Sequence, residues 1–161
     1  MLSLQETYKL CLLEAPLHNI DPVLCMAVVL QESGCNEKAV RLENGFYRRY
    51  IEKQAYSVPI KVLLSTSYGL MQTMGETLRT MGYFSPIMDN RNVAEQIEKY
   101  LSDPREQIAW GCTFLFTLLT KKHNDEVAAL LAWNGGGDPE YPARIEAKKE
   151  FIREAIKTGK L

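Results

Sequence analysis

The sequence has no stretch able to span a membrane: its longest apolar run, Val23 to Leu30, is eight residues, against the ~20 that a bilayer core requires. Its opening, MLSLQETYKLCLLEAP, lacks the basic start and unbroken apolar core of an export signal and reads as an amphipathic helix. The chain is therefore expected to be made in the cytoplasm without a signal peptide and to enter no bilayer. An excess of one charge is also missing. With 19 Lys and Arg against 20 Asp and Glu, the net charge is -1, so no basic field exists to hold a nucleic acid. The local surplus from Arg144 to Lys160, six basic against three acidic residues, has the pattern of a solvated amphipathic helix. There is no CxxC pair. Cys11, Cys25, Cys35 and Cys112 lie in apolar or helical contexts and read as free buried thiols. His18 and His123 are too isolated to build a metal site with them, so neither a metal nor a cofactor is expected. Repeats, low-complexity tracts and linkers are absent, and residues 1–161 read as a single domain expected to act as a monomer.

What is present is helical. Hydrophobic residues make up 46% of the chain, enough for an ordinary core at this length. Asp21 and Pro22 form an N-cap and first-turn pair that opens a helix running to about Ser33. From Val23 to Leu30 that helix has no polar face and suits a central position, packed on all sides. It ends in a carboxylate. Glu32 follows Cys25, Val28 and Val29 by seven, four and three residues, so it shares their stripe and is not displayed on a solvated face. Apolar surroundings and the negative end of the helix dipole both favour keeping its proton. A carboxyl group that stays protonated near neutral pH can act as a general acid, for example toward a glycosidic oxygen.

Further helices are expected over Leu4–Glu14, over Glu76–Met81 with Gly82 closing it, and over VAEQIEKYL with Asn92 as cap. Asp103-Pro104 opens another through about Thr120, Asn124-Asp125 opens one ending at Asn134-Gly135-Gly136-Gly137, and the last runs from about Pro142 to Lys157. Between Glu43 and Ser65 the pattern breaks. Asn44-Gly45, Pro59 and the β-favouring run YSVPIKVLL suggest a small irregular or β-hairpin insertion in a mainly α domain. The glycine run follows no strand, so helix termination explains it better than a phosphate cradle.

The stretches LQESGCN, SYGLMQTMGET and AALLAWNGGG, with DPREQIAWGCTFL before the last, resemble in their order the catalytic domain of the soluble lytic transglycosylases. That family is lysozyme-like, related to goose-type lysozymes, and cleaves the glycan strands of peptidoglycan. The matching positions are Glu32-Ser33, Gly69-Leu70-Met71-Gln72, Gly111 with Leu115, and Ala132-Trp133-Asn134-Gly135-Gly136, spread over about Ile20 to Ile145. Two positions depart from the pattern. Phe114 stands where a tyrosine often reaches the catalytic acid, and Trp133 replaces another tyrosine, keeping a stacking surface for a sugar but losing a hydroxyl. The insertion motif NGFYRRY resembles phage-type members and points to a phage or prophage origin.

The resemblance implies an α+β lysozyme-like fold, peptidoglycan glycan strands as partner, and Glu32 as the catalytic acid. Ser33 and Gln72 would orient the acid or an N-acetyl group, Met71 would wall the cleft, Trp133 would stack on a sugar and Asn134 would donate to it. An ordinary core position is the alternative for Leu70 and Met71. One carboxylate suffices if Glu32 later takes the proton of the sugar's own C6 hydroxyl and a 1,6-anhydro ring closes. Hydrolysis, as in a muramidase, would instead need a second carboxylate, with Glu43, Glu52, Glu76 and Asp138 as candidates. A non-catalytic peptidoglycan-binding module is a further alternative, against which a buried acid argues. Tyr47, Arg48, Arg49 and Tyr50 are expected either to line a polysaccharide groove or to form a solvated surface strand.

Overall fold

Helix caps explain most of the architecture. In the computed structural model, which describes residues 1–84 and 90–161 without the side chains of residues 90 and 91, Ser3 and Glu6 form a reciprocal capping box at the start of α1 (Leu4–Glu14). Asp21 accepts the Val23 amide at 2.7 Å and Pro22 occupies the first turn of α2 (Pro22–Glu32). Asp103 accepts the amides of Arg105 and Glu106 at the head of α7 (Pro104–Lys121), and Asp125 accepts that of Ala128 at the head of α8 (Glu126–Trp133). The last helix, α9, spans Tyr141–Lys157. Within α2, Leu24 to Val29 are all buried, each burial contributing about 1.5–3 kcal/mol for the larger side chains. Helices α1 and α9 pack directly on α2, while α7 packs on α1 and α8. Together they enclose the main apolar cluster, which also takes in Leu70 and Met71.

The region between α2 and α7 forms a smaller lobe around a second cluster that includes Ile51, Ile60, Leu63, Leu64, Leu78 and Tyr100. Its sheet is antiparallel in the order β1 (Val40–Leu42), β2 (Thr66–Tyr68), β3 (Thr73–Met74). Arg41 pairs with Ser67, and Ser67 with Met74. The expected insertion therefore has its strands at its edges, not inside it. Between β1 and β2 lie a short helical turn, α3 (Asn44–Phe46), a wide π-helical turn (Tyr47–Ile51) and α4 (Val58–Leu64). The run YSVPIKVLL, read from composition as β-favouring, is thus largely helical. Pro59 falls in the first turn of α4, and Ile60, Leu63 and Leu64 are buried at helical spacing, so packing overrides the β-branched propensity. After β3 come α5 (Gly75–Thr80), with Gly82 beyond it at φ +88°, and α6 (Asn90–Ser102), already under way at Asn92 where a cap had been expected.

Two glycines fix the turn between β2 and β3 against α7. A Cβ on Gly69, whose φ is +72°, would lie 2.4 Å from Gln107 Oε1, and one on Gly111 would lie 2.3 Å from Met71 Sδ. Gln107, wholly buried, accepts the Leu70 amide at 2.8 Å and donates to the carbonyls of Glu37 and Tyr100. The turn is therefore seated directly on α7 and tied to it by the Gln107 hydrogen bond.

Candidate active site

The two lobes meet at a cleft of ≈ 630 Å³. Glu32, at the end of α2, lines it from the helical side with Phe114 of α7 and with Ala132, Trp133 and Asn134 at the end of α8. Arg41, Glu43, Phe46, Arg49 and Tyr50 line it from the smaller lobe, over a floor that includes Ser67, Gln72, Thr73, Met74 and Thr77.

The Glu32 side chain is 11% exposed. Tyr141, in the first turn of α9, donates its hydroxyl to Glu32 Oε1 at 2.5 Å, and Trp133 donates Nε1–H to the same oxygen at 3.3 Å. Arg41 Nη2 lies 3.9 Å from the other oxygen, Oε2. Burial pushes the carboxyl above its ordinary range. The Tyr141 bond, the Arg41 charge and the Trp133 bond oppose that rise, while the Glu43 charge adds to it. Burial, the Glu32 charge and the hydrogen bond hold the Tyr141 hydroxyl far above its ordinary range, so it stays a donor. Because both donors converge on Oε1, a proton on the neutral acid sits on Oε2, the oxygen left for an incoming group. The site can therefore deliver one proton in a fixed direction and receive one at the same atom.

Glu43 accepts Arg41 Nε–H at 2.6 Å and the Ser67 hydroxyl at 3.2 Å, both on Oε1. Arg41 thus stands between the two carboxylates. Of the four acids considered as a second carboxylate, Glu43 lines the cleft, while Glu76 pairs with Arg79 and Asp138 with Arg144, and Glu52 is exposed just beyond the π-helical turn.

The expected site residues separate into two groups. Trp133, Asn134 and Gln72 line the cleft with Glu32. Gln72, at φ 49°, spends its side-chain amide on the carbonyls of Ala39 and Gly69 at 3.1 and 3.0 Å, which shapes the floor. Ser33 does not reach the carboxyl: its hydroxyl donates to the Leu70 carbonyl at 2.8 Å and to that of Val29 at 3.3 Å, tying α2 to the β2–β3 turn. Met71, expected as a wall, is wholly buried against Gly111, and Met74 faces the cleft instead. Phe114 packs its ring on that of Trp133 at 5.3 Å, and the hydrogen bond it cannot supply comes from Tyr141.

Tyr141 and Arg41 were missed by sequence reasoning. Tyr141 was readable in principle, because Tyr141, Ile145, Lys149 and Ile152 form the buried stripe of α9. Starting that helix one residue later left the tyrosine in a loop. Arg41 gave no signal, since nothing local shows that β1 will cross the cleft mouth.

The sequence model described as Transglycosylase SLT domain matches residues 14–154. Comparison with curated proteins and with solved structures finds no match.

Proposed function

Given that the chain belongs to the Transglycosylase SLT domain family, we propose that it cleaves peptidoglycan between N-acetylmuramic acid and N-acetylglucosamine, with Glu32 as general acid and then base. The observation that carries this reading is the carboxyl itself: largely buried, lining a cleft, with Oε1 held by two hydrogen-bond donors and Oε2 accepting from neither, the Arg41 guanidinium standing 3.9 Å from it. Protonation of the bridging oxygen by Oε2 releases the N-acetylglucosamine side and leaves an oxocarbenium-like centre on the muramic sugar. The Glu32 carboxylate, now stabilised by Tyr141, Trp133 and Arg41, accepts the proton of that sugar's C6 hydroxyl. The C6 oxygen closes on C1 as a 1,6-anhydro ring, and the acid is restored. No second acid is consumed or required. The Phe114–Trp133 pair supplies an aromatic face for a sugar ring.

Hydrolysis by the same fold is favoured by one observation, the position of Glu43 in the cleft. Against it, Glu43 is held in a 2.6 Å ion pair with Arg41 and is 29% exposed, an arrangement that serves charge pairing better than a water-activating base.

Purified cell wall is the substrate for the test. The reading predicts soluble fragments whose newly formed ends lie at the C1 position of N-acetylmuramic acid. New C1 ends on N-acetylglucosamine, or fragments formed by breaking peptide or amide bonds, would overturn it.

A further inference from the structure

The arm between β1 and β2 has no part in the proton transfers, yet it forms one lip of the cleft. Phe46, Arg49 and Tyr50 all line the cavity. Their spacing, i, i+3 and i+4, puts them on one face of the helical arm, and the rings of Phe46 and Tyr50 meet at 5.0 Å. Behind them Ile51 is 1% exposed and anchors the arm in the second cluster. The Glu52 amide bonds back five residues to the Tyr47 carbonyl at 2.9 Å, the π-helical pattern often found at functional sites. Tyr50 is left 55% exposed beside the cleft.

The charges of this lip are unbalanced. Four charged side chains line the cavity: Glu32, Arg41, Glu43 and Arg49. Arg41 is paired with Glu43, and the burial of Glu32 favours its neutral form. Arg49 has no carboxylate partner among the described residues, and its guanidinium lies 5.8 Å from the Tyr50 ring centre. A cation with no carboxylate partner among the described residues therefore stands at the rim of the cleft beside two aromatic rings.

We propose that Phe46, Arg49 and Tyr50 bind the anionic peptide stem of the substrate, so that the protein selects glycan strands bearing stems over bare strands. This rests on the glycan-cleaving reading above. The stem hangs from the O3 lactyl group of N-acetylmuramic acid, the same ring whose C1 bond breaks when Glu32 protonates the bridging oxygen, and Glu32 lines the same cavity as Phe46, Arg49 and Tyr50. Free carboxylates on the stem match the planar fork of a guanidinium, which remains charged at any working pH. The aromatic pair packs against the aliphatic parts of the stem.

The test compares peptide-bearing glycan strands with the same strands stripped of their stems by an amidase. Wild-type protein is expected to show kcat/KM about tenfold higher on the bearing strands, the scale of a charge-assisted hydrogen-bonded pair. Arg49→Gln should raise KM on bearing strands by about that factor, with the loss falling on KM and not on kcat, and should bring the two substrates close to parity. Arg49→Lys should recover part of the preference, and Arg48→Gln, on the same turn but outside the cleft, should keep all of it. Equal wild-type rates on both substrates, or an Arg49→Gln preference equal to wild type, would overturn the stem-binding lip while leaving glycan cleavage standing. No cleavage of either polymer by wild type would overturn the reading beneath it and the lip with it.

Discussion

Glu32 and Glu43 line one cleft from opposite sides, and they are supported in different ways. Glu32 closes a helix buried in the main cluster, and its two donors come from α8 and α9, which are docked on the same core. Its environment is set by the tertiary fold and is nearly dry, at 11% exposure. Glu43 sits where β1 gives way to α3, 29% exposed, and takes its partners from Arg41 two residues away and from Ser67 across the sheet. The first carboxyl is held where desolvation governs its proton, and the second is held in an ion pair with a cation that is itself 57% exposed. Acid chemistry needs the former.

The largest expected effect breaks this contrast or upholds it. Glu32→Gln keeps the shape and the acceptor oxygen but cannot donate, and should lower kcat by at least about 10²-fold with an unchanged circular-dichroism spectrum. Glu43→Gln should lower it by no more than about fivefold, the scale of losing one partly exposed pair. Equal losses for the two would show that the cleft uses both acids.

Next in size is Tyr141→Phe, which removes the shortest bond to Glu32. A kcat loss of about tenfold is expected, since a hydrogen bond to a charged group is lost when Glu32 acts as base. That bond holds the carboxyl down, so its removal raises the pKa further and the alkaline limb of the kcat profile should move to higher pH. A limb moving to lower pH would contradict the assigned donor.

A smaller pair of effects separates the two neighbours. The Arg41 charge lowers the Glu32 pKa and the Glu43 charge raises it. Arg41→Gln should therefore move the alkaline limb up and Glu43→Gln should move it down, and the two profiles measured side by side test the sign of each. The smallest effect is on stability. Glu32 keeps its proton to higher pH in the folded chain than its ordinary value of 4.5, so the unfolded chain releases it first. Stability then falls as pH rises through that window. Glu32→Gln should raise the melting temperature above pH 4.5 relative to wild type, with the gain fading below it.

The same contrast decides what could be read from the sequence. The helical side was legible because its signals are local: Asp21-Pro22, Asp103-Pro104 and Asp125 each act within one turn, and the stripe from Cys25 to Glu32 reports burial directly. The family resemblance located the β2–β3 turn, but not which of its side chains face inward. Met71 went to the core and Met74 to the cleft because the turn is seated against Gly111 and Gln107 on α7. Within the irregular insertion, the run YSVPIKVLL was read as β-favouring but is largely helical, because Ile60, Leu63 and Leu64 pack at helical spacing into a cluster assembled from distant segments. Tyr141 meets Glu32 across 109 residues of sequence, a contact that only the docking of α9 on α2 creates.

The most direct test of the account is the origin of the oxygen at the new muramic end. Cell wall digested in heavy-oxygen water and analysed by mass spectrometry should yield 1,6-anhydro ends free of label, because the C6 hydroxyl of the sugar closes the ring and Glu32 alone moves the proton. Reducing ends carrying heavy oxygen would mean that water is the nucleophile, contradict the one-carboxylate mechanism, and give Glu43 the role of its base.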